Sequence, residues 1–106
     1  MSGIVVTGGA SGLGADLCRR LATDGWRVGV LDRDAEGARA VADEVGGLAL
    51  VADVADSSAL DGELRRAATE LGGLRGLVNN AGVGNLKPIE SYTDREVDLI
   101  WRVNVT

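Results

Sequence analysis

Ile4-Val5-Val6-Thr7-Gly8-Gly9-Ala10-Ser11-Gly12-Leu13-Gly14 joins a short β-branched run to a turn crowded with glycine. The run has no polar alternation, so it reads as a strand buried on both faces, as in a parallel sheet. From Ser11 to Asp24, Leu13, Leu17, Cys18, Leu21 and Ala22 recur at three- and four-residue spacing, with Asp16, Arg19, Arg20 and Asp24 turned outward. That spacing predicts an amphipathic helix, with Gly25 as its stop. A glycine turn between a buried strand and a helix lets backbone N–H groups come close to a pyrophosphate, and the positive end of the helix dipole faces the same charge. Gly8 fits the tight turn, Gly12 the close approach and Gly14 a tight contact between helix and strand. Ala10, Ser11 and Leu13 complete the candidate phosphate loop. An ordinary glycine-rich turn is the competing reading.

The same alternation continues along the chain. Val28, Val30 and Leu31 lead to Asp32, and a helical face of Ala38, Val41, Ala42 and Val45 closes at Gly46-Gly47. Leu48 to Val51 is a third strand, and a third helix carries Leu60, Leu64, Ala67, Ala68 and Leu71 to Gly72-Gly73. Leu77-Val78 makes a fourth strand. A last helix is expected after Ser91 or Thr93, with Val97, Ile100, Trp101 and Val105 inward. Strand and helix alternating at about 25-residue intervals predict an α/β chain with right-handed crossovers, a Rossmann-like doubly wound parallel sheet in the order β-α-β-α-β-α-β-α. At 106 residues, 1–106 makes one dinucleotide-binding domain.

Composition narrows the chemistry. Eleven basic against sixteen acidic residues give a net charge of −5, which lacks the basic footprint of a nucleic-acid binder. With no histidine in the chain, Ser-His-Asp and Cys-His catalysis and His-ligated zinc are excluded from it. One cysteine, Cys18, permits no internal disulfide or Cys-rich metal site and is expected as a buried small hydrophobe; no metal site is expected. The start MSGIVVTGG has no basic n-region, and every apolar run is too short to span a membrane, so a cytoplasmic protein without a membrane partner is expected.

Three further positions complete the candidate cofactor site. Asp32, about 20 residues past the glycine turn, stands where a carboxylate accepts from the hydroxyls of an adenosine ribose. It would repel a 2′-phosphate, which favours NAD over NADP; Arg33 either meets such a phosphate or lies flat on the adenine. Asp32 also fits a helix cap, a role that Asp34 fills equally well. Asp53-Val54 ends the third strand, where the carboxylate can accept from the adenine amine while Val54 packs the ring, or can cap the third helix. Asn79-Asn80-Ala81-Gly82 ends the fourth strand; alone it is a turn.

Taken in this order, T-G-x-x-x-G-x-G, Asp32, Asp53-Val54 and N-N-A-G resemble the classical short-chain dehydrogenase/reductase family over the whole chain. The resemblance implies an oxidoreductase that moves hydride between a nicotinamide and an alcohol or ketone carbon, with Asp32 holding the ribose and Asn80, Ala81 and Gly82 lining the cofactor. It implies that Asn104 supports a proton relay from within the fourth helix; family members commonly pair through their fourth and fifth helices, so a homo-oligomer is one open state and a monomer the other. The family's serine and its Tyr-x-x-x-Lys are not matched here, because Tyr92 is followed at the fourth position by Glu96 and Lys87 is the only lysine. The chain therefore reads as the cofactor-binding portion of an enzyme that needs a C-terminal part to act on a small alcohol or carbonyl compound. By itself it is expected to be inactive and poorly stable, with weak NAD binding and an open sheet edge beyond the fourth strand. A non-catalytic NAD-binding or interaction module is the alternative, and a methyltransferase-type nucleotide fold fits the motifs poorly.

Overall fold

The computed structural model describes residues 2–80 and 102–104, the last three by their backbone. β1 (Gly3–Thr7) is followed by α1 (Gly12–Thr23), β2 (Arg27–Asp32), α2 (Ala35–Val45), β3 (Leu48–Val51), α3 (Ser57–Glu70), β4 (Leu74–Asn79) and β5 (Arg102–Asn104). All strand pairs are parallel, and the sheet runs β3-β2-β1-β4-β5. Moving out from β1 to β2 and β3, then back across to β4, reverses the strand order between β1 and β4. A crevice forms there at the carboxyl ends of the strands, the place where open α/β sheets bind ligands.

Both faces of the sheet are covered because successive strand residues point to opposite sides. Ile4, Val6, Val28, Val30 and Val78 pack with Ala15 and Cys18 of α1 and Ala38, Val41 and Ala42 of α2. Val5, Leu31, Leu50 and Leu77 pack on the other side with Leu60, Leu64, Ala67 and Ala68 of α3. The helices stop where the glycines predict: Gly46 caps α2 in the left-handed region at φ 66°, and Gly25, at φ 98°, follows the α1 cap Asp24.

Three expectations change. Leu13, expected on the buried face of α1, is 49% exposed, and the buried positions there are Gly14, Ala15 and Cys18. The first turn of α1 lies so close to the strand ends that only small residues fit beneath it, which pushes Leu13 to the rim. Asn104 lies in a strand instead of a helix, its Cα registered opposite Asn79 while Val103 faces Val78. The β-branched Val103 suits a pleated strand, and the edge of β4 supplies its ladder. The edge expected to stay open beyond β4 is therefore paired by β5. The helix expected after Ser91 or Thr93 lies outside the described residues.

Candidate functional site

The turn after β1 is fixed by contacts from the ends of two strands, β2 and β4. Gly9 N–H donates to the Leu31 carbonyl at 3.1 Å, Ala10 N–H to Asp32 Oδ2 at 3.1 Å, and Asn80 Nδ2 to the Gly8 carbonyl at 3.2 Å. Thr7 is fully buried, and its hydroxyl proton is shared between the Val78 carbonyl and Asn79 Oδ1, each at 3.3 Å. These bonds tie β1 to β2 on one side and to β4 on the other across the point where strand order reverses.

Gly12 sits at φ 57°, with nothing near the position a Cβ would take, so backbone shape alone demands glycine there. Gly14 is demanded by space. A Cβ on Gly14 would overlap the Gly8 carbonyl and come within 2.6 Å of Asn80 Nδ2. Gly14 thus lets the helix start approach the residues that directly follow β1 and β4. The close packing against β2 belongs to Gly9, where a Cβ would lie 2.9 Å from Val30 Cγ1 and 3.2 Å from Cys18 Sγ. Gly9 escaped the sequence reading, although the Gly8-Gly9 doublet signals it. Burial pushes the Cys18 thiol up to about 12, so it stays protonated and inert.

The start of α1 differs from the other helices. Asp34 Oδ1 accepts from Gly37 N at 3.1 Å to cap α2, and Asp56 Oδ1 accepts from Ala59 N at 3.1 Å to cap α3. Ser11, at the cap of α1, makes no such side-chain bond, and the first turn holds no acidic residue. A helix leaves its first N–H groups without intrahelical partners, so those of α1 face the crevice with the positive end of the dipole.

Asp34 and Asp56 take the caps for which Asp32 and Asp53 were candidates. Asp32 Oδ1 accepts from Asp34 N at 3.0 Å while Oδ2 holds Ala10, so its carboxylate clasps the glycine turn and the entry to α2 together. Asp53 Oδ1 accepts from Ala55 N at 2.9 Å, and its Oδ2 lies 4.0 Å from Arg33 Nη1, an exposed pair of modest strength. Between them lies an open cleft of about 350 Å³ with Leu31, Ala52 and Val54 among its lining and Gly8, Asp32, Arg33 and Asp53 at its polar positions. A cleft of mixed lining, with aliphatic side chains beside two carboxylates and a guanidinium, suits a flat heteroaromatic ring that carries donor groups, with a diol beside Asp32. Ala81 and Gly82 lie outside the described residues, as do Lys87 and Tyr92. Among the described residues no cluster of His, Cys, Asp and Glu could hold a metal, and no helix is long and apolar enough to cross a membrane.

The family model described as short chain dehydrogenase matches residues 2–106, and the chain belongs to that family. D-threitol dehydrogenase of Mycolicibacterium smegmatis is 36% identical over 107 residues, taking in 96% of this chain and 41% of that protein. L-2,3-butanediol dehydrogenase of Corynebacterium glutamicum is 34% identical over 108 residues, 95% of this chain and 42% of the relative. The crystal structure of 3-ketoacyl-(acyl-carrier-protein) reductase from Brucella melitensis complexed with NADH superposes with a TM-score of 0.74 at 37% identity, over 82% of this chain and 36% of that one. The chain thus spans about two fifths of the length of the curated relatives it matches.

Proposed function

We propose that this chain holds the adenosine and pyrophosphate of NAD for an oxidoreductase that interconverts an alcohol and a ketone. One observation carries the reading: the uncapped start of α1 and the Gly8–Gly14 turn lie beside the point where strand order reverses, and the Asp32–Asp53 cleft at the ends of β2 and β3 adjoins that turn through Gly8. In this reading the backbone of Gly8, Ala10, Ser11, Gly12, Leu13 and Gly14 surrounds the pyrophosphate. Asp32 accepts from the ribose hydroxyls with the lone pairs its two backbone bonds leave. Asp53 takes the adenine amine while Arg33 and Val54 flank the ring, and Asn80, Ala81 and Gly82 line the path toward the nicotinamide. The dinucleotide supplies or accepts the hydride when bound. Relatives whose names denote dehydrogenation of threitol and butanediol favour a small alcohol or carbonyl substrate for the whole protein.

The choice of NAD rests on charge. Asp32 and Asp53 place two carboxylates in the cleft against the one guanidinium of Arg33, which Asp53 already engages. A 2′-phosphate would add more negative charge beside Asp32, where the lining offers no second cation among the described residues to meet it. The test is a fluorescence titration of the protein with NADH and with NADPH, repeated on Asp32→Ala. Tighter binding of NADH, weakened by the substitution, is expected. Equal or tighter binding of NADPH overturns the choice of cofactor, and binding of neither overturns the site.

A further inference from the structure

β3 is the outer strand of the sheet, and its four residues, Leu48-Ala49-Leu50-Val51, carry no charge. Ala52 N–H donates inward to the Asp32 carbonyl at 3.3 Å, so by the two-residue period Ala49 and Val51 turn their backbone groups outward. Val51 is itself 39% exposed. A short, apolar, uncharged edge with outward N–H and C=O groups is a ready template for another strand.

Those outward groups are occupied from α3. Glu63 Oε2 accepts from Val51 N–H at 2.8 Å, and Arg66 Nη2 donates to the Ala49 carbonyl at 2.8 Å. The donor and the acceptor that a neighbouring strand would use are thus met by one carboxylate and one guanidinium. The two side chains also hold each other: Arg66 Nε lies 3.1 Å from Glu63 Oε1, and Arg66 Nη1 donates to Glu70 Oε2 at 2.9 Å. The Arg66 bond keeps the Glu63 carboxyl below its ordinary range, in the ionised, accepting form. Ion pairs alone would need neither backbone group, and a helix packed on the sheet face would not reach past its edge.

We propose that Glu63 and Arg66 act as a side-chain substitute for a further strand beyond β3, closing the β3 edge against pairing with a second copy of this chain. The partner is a second copy because the exposed segment is uncharged, and identical apolar strands pair without charge conflict.

The experiment compares wild type, Glu63→Ala/Arg66→Ala and the same double variant carrying Val51→Lys, by sedimentation velocity over a range of protein concentration. The double variant is expected to gain mass with concentration beyond the wild type, and the lysine on the strand to reverse the gain. A folded double variant that sediments as the wild type does overturns the proposal. Hydrogen exchange at the Val51 amide decides the matter should the double variant fail to fold. Exchange at least about tenfold faster in Glu63→Ala, and near the wild-type rate in Glu63→Gln, is expected because the amide oxygen of glutamine still accepts. Equal rates in Glu63→Ala and wild type overturn the proposal.

Discussion

Two helical glycines receive the same substitution with opposite expected results. Gly62 lies inside α3 with open space where a Cβ would go, so Gly62→Ala gains only the lower backbone entropy of alanine, about 0.5–1 kcal/mol of stability. Gly14 lies in the first turn of α1, where the added methyl overlaps the Gly8 carbonyl and crowds Asn80 Nδ2. The carbonyl is backbone in a turn held from both sides, so the collision must be relieved by moving the helix start, at a cost of about 1–3 kcal/mol. Displacing Asn80 also sacrifices its bond to Gly8, about 1 kcal/mol more. Less the helix gain, Gly14→Ala should lose about 1–3 kcal/mol, which is a urea midpoint lower by about 1 M at a slope of about 1–3 kcal/mol/M. Urea unfolding of both variants measures the difference, and the NADH titration of Gly14→Ala should show weakened binding because the phosphate loop shifts. A Gly14→Ala protein as stable as Gly62→Ala would refute the close approach between α1 and the glycine turn.

Three other substitutions or treatments test the same framework. Thr7→Val leaves Asn79 Oδ1 and the Val78 carbonyl without the shared hydroxyl donor and should cost about 1–3 kcal/mol in denaturant unfolding. Asp32→Asn keeps a single accepting oxygen for two backbone donors, so stability should fall by about 1–2 kcal/mol together with NADH affinity. Cys18 should react with a thiol reagent only on unfolding. Its thiol ionises at about 12 in the folded chain against 9.0 for a solvated cysteine, so the stability tied to its protonated form is present below pH 9 and drains away between those values, as alkaline unfolding curves of wild type and Cys18→Ala would register.

The alternation of strands and helices was legible because buried parallel strands write uninterrupted apolar runs and helices write a 3.6-residue period. The positions around the glycine turn were legible for a different reason: few arrangements other than a strand-to-helix turn use Gly8, Gly12 and Gly14 at this spacing. Periodicity misread the first turn of α1 because it ranks Leu13 above Ala15, whereas the space under the helix start admits only a small residue. It misses the strand at Asn104 because Val97, Ile100 and Trp101 carry a helical period up to its edge, while the flank of β4 offers a ladder that no local pattern records. The double bond of Asp32, to the turn and to the entry of α2, depends on where two distant backbone segments arrive and leaves no trace in sequence. Glu63 and Arg66 look like an ordinary i,i+3 pair on a wet helix face, and only the position of α3 beside β3 gives them backbone partners.

The cleft is held in shape by the groups proposed to meet the ligand. Asp32 fastens Ala10, Asn80 fastens Gly8, and Leu31 fastens Gly9 through its carbonyl, so the turn is bound on both flanks by the strands that border the crevice. A loose glycine loop would lose conformational freedom on closing around a pyrophosphate, at about 1–2 kcal/mol for each residue fixed. Here folding meets most of that cost beforehand, which leaves the contacts made on binding to appear as affinity. The arrangement also divides labour between backbone and side chains. In the proposed site the turn would present N–H groups and a helix dipole to charge that every dinucleotide carries, while Asp32, Arg33 and Asp53 would stand where dinucleotides differ. Changes to the glycines should therefore weaken NADH and NADPH alike, and changes to the three charged residues should alter the ratio between them.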